Sequence, residues 1–174
     1  MKKIIISVDG PAGSGKGEIS KHIAKKWNMH HLNSGLLYRR VAYLILKNRV
    51  NIEKKIEIKN LLKKIKTISF RENKKLKNDK ISSISSKIAV LDFVRSYINK
   101  AQKSYVSKNI NRKGFVIDGR DIGSVVFKNA NLKLYIEVNS EIRAKRRYKQ
   151  LIDSGEKSIY PKILKEIELR DQKD

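Results

Sequence analysis

The order of apolar and polar positions divides the chain into short β-branched runs and longer stretches with helical spacing. Ile4-Ile5-Ile6-Ser7-Val8 is a brief apolar run closed by Asp9-Gly10-Pro11, the pattern of a buried strand. Ile19, Ile23 and Trp27 recur at helical spacing, and Leu36, Leu37, Val41, Leu44 and Ile45 mark a second amphipathic helix. Residues 54–66 predict a third, with Ile56, Ile58, Leu61, Leu62 and Ile65 on its apolar side. Ile68 to Lys80 is polar and rich in Asn and Lys, which predicts a small surface hairpin or loop with little core material. Ile84, Ile88 and Leu91 continue helically into Val94, Ile98, Ala101 and Tyr105. Phe115-Val116-Ile117 and Leu132-Lys133-Leu134-Tyr135-Ile136 are two more strand candidates. Glu141–Ile152 and Tyr160–Leu169 read as helices joined by a turn at Ser154-Gly155-Glu156. Strands alternating with long helices predict an α/β fold, a parallel sheet with crossover connections.

Composition narrows this picture. A length of 174 residues fits a single domain, 1–174, with a real core. The chain has no cysteine, which excludes a disulfide scaffold, thiolate zinc and thiol catalysis. No apolar run approaches the roughly 18 residues of a membrane span, and the run after Lys2-Lys3 stops at Asp9. We therefore expect a cytoplasmic protein without a membrane partner. Lys+Arg number 41 against 17 Asp+Glu, a formal charge of +24. Such an excess attracts polyanions by counterion release. However, Lys, Ile and Asn together make 67 of the 174 residues, the trio that an AT-rich genome encodes. The lysine clusters at 63–66 and 74–77 are also not interleaved with aromatics, as a nucleic-acid stacking platform would be. An enzyme acting on polyanionic small molecules accounts for the charge better than a nucleic-acid partner does.

The chemistry begins directly after the first strand. Gly10-Pro11-Ala12-Gly13-Ser14-Gly15-Lys16 fits the first seven positions of G-x-x-x-x-G-K-[ST] and opens a helix. Glycines let the backbone turn its N–H groups toward a phosphate, the helix N-terminus adds partial positive charge, and Lys16 reaches the β/γ oxygens. Gly17 stands where a magnesium-ligating hydroxyl is usual, and Glu18 follows it. A carboxylate there repels a nucleotide unless it turns out to solvent. His22, His30 and His31 have no carboxylate at ligand spacing and are expected to be surface or packing residues; no protein metal site is expected.

Downstream blocks carry a resemblance. Gly10 to Gly17 is similar to the loop of nucleoside monophosphate kinases, where Thr usually follows in place of Glu18. Asn33-Ser34-Gly35-Leu36-Leu37-Tyr38-Arg39 resembles the D-S-G-x-x-Y-R stretch of bacterial cytidylate kinases, with Asn33 for Asp. Ile117-Asp118-Gly119-Arg120-Asp121-Ile122-Gly123-Ser124-Val125-Val126-Phe127 resembles that family's D-G-R-D-x-G-T-V-V-F. Glu141-Ile142-Arg143-Ala144-Lys145-Arg146-Arg147 resembles its lid helix, and Arg170-Asp171-Gln172-Lys173-Asp174 its R-D-x-x-D end.

The resemblance implies a P-loop NTPase-type parallel sheet flanked by helices, with a short NMP-binding insert at about 67–95 and a helical lid at about 143–160. The family continues past R-D-x-x-D with a further strand and helix, and residues 1–174 stop there. The implied reaction transfers a phosphoryl group from ATP to CMP or dCMP with Mg²⁺, in a protein expected to be monomeric. Residues 10–18 (Gly10, Pro11, Ala12, Gly13, Ser14, Gly15, Lys16, Gly17, Glu18) would bind ATP. Lys16, Arg120, Arg146 and Arg147 would be catalytic, with Arg143 also on the lid closing over ATP. Arg39, Arg120 and Arg170 would hold the acceptor phosphate, and Ser34, Ser86, Arg95 and Asp121 the rest of CMP. An Asp accepting from cytosine N4 and an Arg or Ser donating to N3 or O2 is the right complement. Asp174 would bind the ribose hydroxyls. Ser85 competes with Ser86 by one step of register, and Asp118 reads either as an acid helping the metal through water or as a turn residue. Two alternatives remain open at this point: a monophosphate kinase with another acceptor (UMP or AMP), and a catalytically weak or inactive relative acting as a basic RNA-binding protein.

Overall fold

A computed structural model describes residues 3–76, 78–109, 112–153, 155 and 157–172. Four strands form one sheet: β1 (Ile4–Asp9), β2 (His30–Asn33), β3 (Gly114–Gly119) and β4 (Leu132–Tyr135), in the order β2-β3-β1-β4. β1 runs parallel to β3, with Ile4 opposite Gly114 and Asp9 opposite Gly119, and parallel to β4, with Ile6 opposite Leu132. The expected parallel α/β sheet is therefore present. The helices are α1 (Lys16–Lys26), α2 (Ser34–Lys47), α3 (Lys55–Lys64), α4 (Asp79–Ala89), α5 (Asp92–Lys108), α6 (Ser140–Asp153) and α7 (Tyr160–Asp171).

The chain divides into two compact units, Met1–His31 with Lys113–Asp174, and Leu32–Arg112. In the first unit Ile6, Val8, Ala24 and Val116 form the sheet core, joined by Ile23, Met29, Leu134 and Ile136. α6 and α7 close on each other through Ala144, Leu151 and Ile163. The second unit is helical around Leu37, Val41, Ile45, Ile58, Ile81, Ile88, Val94 and Ile98.

Four local expectations need correction. Of the expected hairpin or loop at 68–80 the described residues form the loop, with a 3₁₀ turn at Lys74–Leu76, but it does carry core material, since Ile68 and Leu76 are buried in spite of the polar surroundings. Ile56 is 62% exposed, because only Ile58, Leu61 and Leu62 of α3 reach the core. Trp27 is 52% exposed: α1 stops at Lys26, and the chain turns away through Asn28 at φ 51°. The run from Ile84 to Tyr105 is two helices, broken at Val90-Leu91. β2 was not legible beforehand, since Leu32 alone of its four residues is buried.

Candidate active site

β1 ends at Asp9, and the loop that follows turns sharply into α1. Gly10 sits at φ 152°, where a Cβ would lie 2.4 Å from the Ile136 carbonyl oxygen. Gly13 and Gly15 are at φ 74° and 86°, the left-handed region that a side chain makes costly. Gly15 caps α1, whose first N–H groups have no partner inside the helix. Ser14 is buried, and its Oγ finds no hydrogen-bond partner among the described residues. Lys16 Nζ folds back to donate to the Pro11 carbonyl at 3.0 Å. Such a concave loop of backbone donors with a lysine at its rim is built to take a phosphate chain. Glu18 points out: its side chain is 83% exposed and pairs with Lys21 at 3.2 Å. The anion at position 18 is thereby removed from the cradle. A Cβ at Gly17 would meet nothing within 4 Å, so the missing hydroxyl there does not reflect crowding.

The electrostatics of the same unit are unusual. Burial pushes the Lys16 ammonium down to about 8, helped by Arg120 and Arg170 and opposed by Asp118 and Asp9. Burial likewise lowers Arg120 to about 10, with Arg170 and Arg143 adding to the effect and Asp171 and Tyr135 opposing it. Lys16, Arg120 and Arg170 are thus held close enough to repel, a cluster that an incoming polyanion relieves.

Three carboxylates organise this cluster. Asp9 accepts from the backbone N–H groups of Ile122 and Gly123, each at 2.8 Å, and burial raises its pKa. It anchors a single π turn, Ile122–Val126, that follows Arg120-Asp121; Asp121 caps this turn. Asp118, buried in β3, meets His31 Nε2 at 2.5 Å. Asp171 takes a forked pair of bonds from Arg143. His31, read from sequence as a surface or packing residue, pairs with a carboxylate 87 positions away, because β2 and β3 are neighbours in the sheet. Arg143, on the lid helix α6, is buried at 4% exposure. Arg146 does lie near the loop, with Nη1 4.0 Å from where a Gly15 Cβ would be, and Arg147 is exposed. Among the described residues no three His, Cys, Asp or Glu come together as a metal cage.

In the second unit, Asn33 caps α2 by accepting from Leu36 N–H at 3.0 Å. An Asn does this as well as an Asp, which accounts for the departure at this position. Ser34 is buried at the start of α2, and Arg39 donates to the Leu76 carbonyl at 3.4 Å. The Ser85 hydroxyl bonds back to the Ser82 carbonyl at 2.8 Å, whereas Ser86 is half-buried. Arg95 is half-buried on α5. Asp174 lies outside the described residues. Asp9, His31 and Asp171 are the site residues to which the sequence assigned no role; the signals on offer were the position of Asp9 just before the loop and that of Asp171 within the R-D-x-x-D block.

A parallel sheet ending in a phosphate cradle, with clustered cations, defines a P-loop phosphotransferase. The sequence model for cytidylate kinase matches residues 6–174, and the chain belongs to the cytidylate kinase family. It is 36% identical over its whole length to the cytidylate kinase of Bartonella tribocorum, covering 79% of that protein. It is 35% identical to that of Fusobacterium nucleatum, covering all of this chain and 82% of the relative. Against that of Rickettsia conorii the identity is 39% over 97% of this chain and 74% of the relative. Among solved structures, TT1252 from Thermus thermophilus matches the fold with a TM-score of 0.52 at 16% identity, over 94% of this chain and 78% of that one. No helix among the described residues is long and apolar enough to cross a membrane.

Proposed function

We propose that the protein transfers the γ-phosphoryl group of ATP to CMP or dCMP, releasing ADP and CDP or dCDP. The observation that carries this reading is the half-buried Lys16–Arg120–Arg170 cluster beside the phosphate loop, in a chain of the cytidylate kinase family. In-line transfer needs little covalent work from the protein: an acceptor phosphate oxygen attacks the γ-phosphorus as the bond to the β-bridging oxygen breaks. Rate comes from positioning and from positive charge on the equatorial oxygens. Residues 10–18 would cradle the ATP phosphates, with Lys16 leaving the Pro11 carbonyl for the β/γ oxygens. Arg120, Arg146 and Arg147 would neutralise the charge that spreads in the transition state.

Arg39, Arg120 and Arg170 would grip the acceptor phosphate, while Ser34, Ser86, Arg95 and Asp121 hold the nucleoside and Asp174 its ribose. The engagement of the Ser85 hydroxyl within its own helix favours Ser86 in this role. We assign residues 67–95 to the acceptor insert and 143–160 to the lid of a monomeric enzyme working on small nucleotides.

The donor set fits a divalent cation that arrives on the nucleotide rather than one caged by protein. Both Asp9 oxygens and one Asp118 oxygen are engaged, so the second Asp118 oxygen would be the one to help hold Mg²⁺ through water. When bound, the ion would supply positive charge against the phosphates. The relatives above are all named cytidylate kinases, which favours CMP over UMP or AMP as acceptor. Following the phosphorus by ³¹P NMR tests the reading: ATP and CMP should yield the paired resonances of ADP and CDP. Release of inorganic phosphate without CDP would leave only an ATPase, and RNA binding without either product would replace the assignment.

A further inference from the structure

Arg143 makes bonds that phosphate binding alone would not require. Its Nε donates to the Val138 carbonyl at 2.8 Å, and Nη1 donates to the Ala12 carbonyl at 3.2 Å and to Asp171 Oδ1 at 3.0 Å. Nη2 donates to the other Asp171 oxygen. The stem of Arg143 also backs the loop, lying 3.5 Å from where a Gly13 Cβ would be. Because the peptide group is planar and trans, a carbonyl held on one side aims the following N–H to the other. Fixing the Ala12 carbonyl therefore fixes the direction of the Gly13 N–H, one of the donors of the phosphate cradle. The other end of the fork is Asp171, next in sequence to Arg170 on α7 and close enough to Arg120 to oppose its loss of charge.

We infer that the Arg143–Asp171 pair is a strut tying the donor phosphate loop to Arg120 and Arg170, so that occupancy of one substrate site sets the geometry of the other. Arg143 and Asp171 are on this view positioning residues. The inference rests on the reading of Arg170 as an acceptor-phosphate ligand. A bidentate guanidinium–carboxylate pair transmits orientation as well as charge, since both planes must move together. Linkage between two such sites is reciprocal: what ATP does to CMP affinity, CMP does to ATP affinity.

The test measures CMP affinity by calorimetry on the whole chain, alone and saturated with a β,γ-imido ATP analogue. In the wild type the analogue should tighten CMP binding by about fivefold or more, the lower end of ordinary coupling. In Asp171→Asn, which keeps the shape and removes the charge, the factor should fall toward one, and Asp171→Glu should restore part of it. Arg143→Lys, which keeps the charge and loses the fork, provides the same readout if the Asn variant does not fold. A wild type with no coupling, or a folded variant with wild-type coupling, overturns the strut. Arg170→Ala separates the two layers: if it leaves the affinity for CMP alone unchanged, the acceptor reading has failed, and the strut to an acceptor site fails with it. If it weakens CMP binding while Asp171→Asn preserves the coupling, the acceptor reading stands and the strut alone is wrong.

Discussion

The two units of the molecule are held together by different means. The helical unit, Leu32–Arg112, has a core made of aliphatic side chains, with Leu37, Val41, Ile58, Ile88, Val94 and Ile98 all at 0% exposure. The sheet unit buries Ser7, Asp9, Ser14, Ser20, Asp118 and Arg143 beside its apolar residues. A hydrophobic core is non-directional and stabilises wherever its volume is filled. Buried polar groups cost stability where they go unsatisfied, as the Ser7, Ser14 and Ser20 hydroxyls do among the described residues, but satisfied ones fix direction. The helical unit buries fewer polar side chains, Ser34, Ser85 and Gln102, so the difference is one of degree: filled aliphatic volume dominates there, and the sheet unit gives up more stability to fix the phosphate loop.

The sharpest way to break that comparison is at Lys16. Lys16→Met should reduce turnover by at least about 10³-fold, the scale of removing a principal charge from a phosphoryl-transfer site. It should leave the ligand-free melting temperature unchanged or higher, because a partly desolvated cation beside Arg120 disappears. Coupled assays and calorimetry on the same preparation check both halves. A marked loss of stability would mean that the cluster is structural.

Next in size is Ile98→Ala in the helical unit. It should cost about 2–5 kcal/mol by denaturant unfolding, through lost transfer energy and the cavity left behind. Turnover per folded molecule should be much less affected than in Lys16→Met. The pair of variants thus separates the units in opposite directions.

A pH series sharpens the contrast further. Burial lowers Lys16 to about 8 in the folded, ligand-free protein, against 10.5 for a solvent-exposed lysine. Between those values the unfolded chain binds more protons, so this group's contribution to stability rises with pH from about 8 to 10.5. Below pH 8 the charged lysine carries its full burial penalty, which a bound polyanion offsets. Tripolyphosphate should therefore raise the melting temperature more at pH 7 than at pH 9.5. An equal shift at both pH values would contradict the assignment of Lys16 to the anion site.

The smallest expected effect is at Glu18. Glu18→Thr should change stability by less than about 0.5 kcal/mol, as surface substitutions do, and should leave the KM for ATP unchanged or lower. A clear rise in that KM would show that the Glu18 carboxylate assists the nucleotide.

The phosphate loop could be read from sequence because its constraints are local. Gly10, Gly13 and Gly15 adopt backbone angles that other residues avoid, and they directly follow a β-branched run. The principal helices were equally legible from spacing. Trp27 and Ile56 show the limit of that method: periodicity finds a stripe but does not say where the helix ends or how wide the buried face is. Ile68 and Leu76 show the converse, since apolar residues scattered through a polar stretch still reached a core. His31–Asp118 and Arg143–Asp171 were invisible because their partners lie 87 and 28 residues apart and meet only once the chain has folded. The π turn depends on a carboxylate 113 residues upstream, and nothing in its own sequence announced it.

The most direct test of the whole account is kcat/KM for ADP formation from ATP with CMP, dCMP, UMP and AMP at equal concentrations. The expected result is transfer to CMP and dCMP well above UMP and AMP, abolished in Lys16→Met. Preference for AMP or UMP, or no acceptor-dependent ADP at all from folded protein, would contradict it.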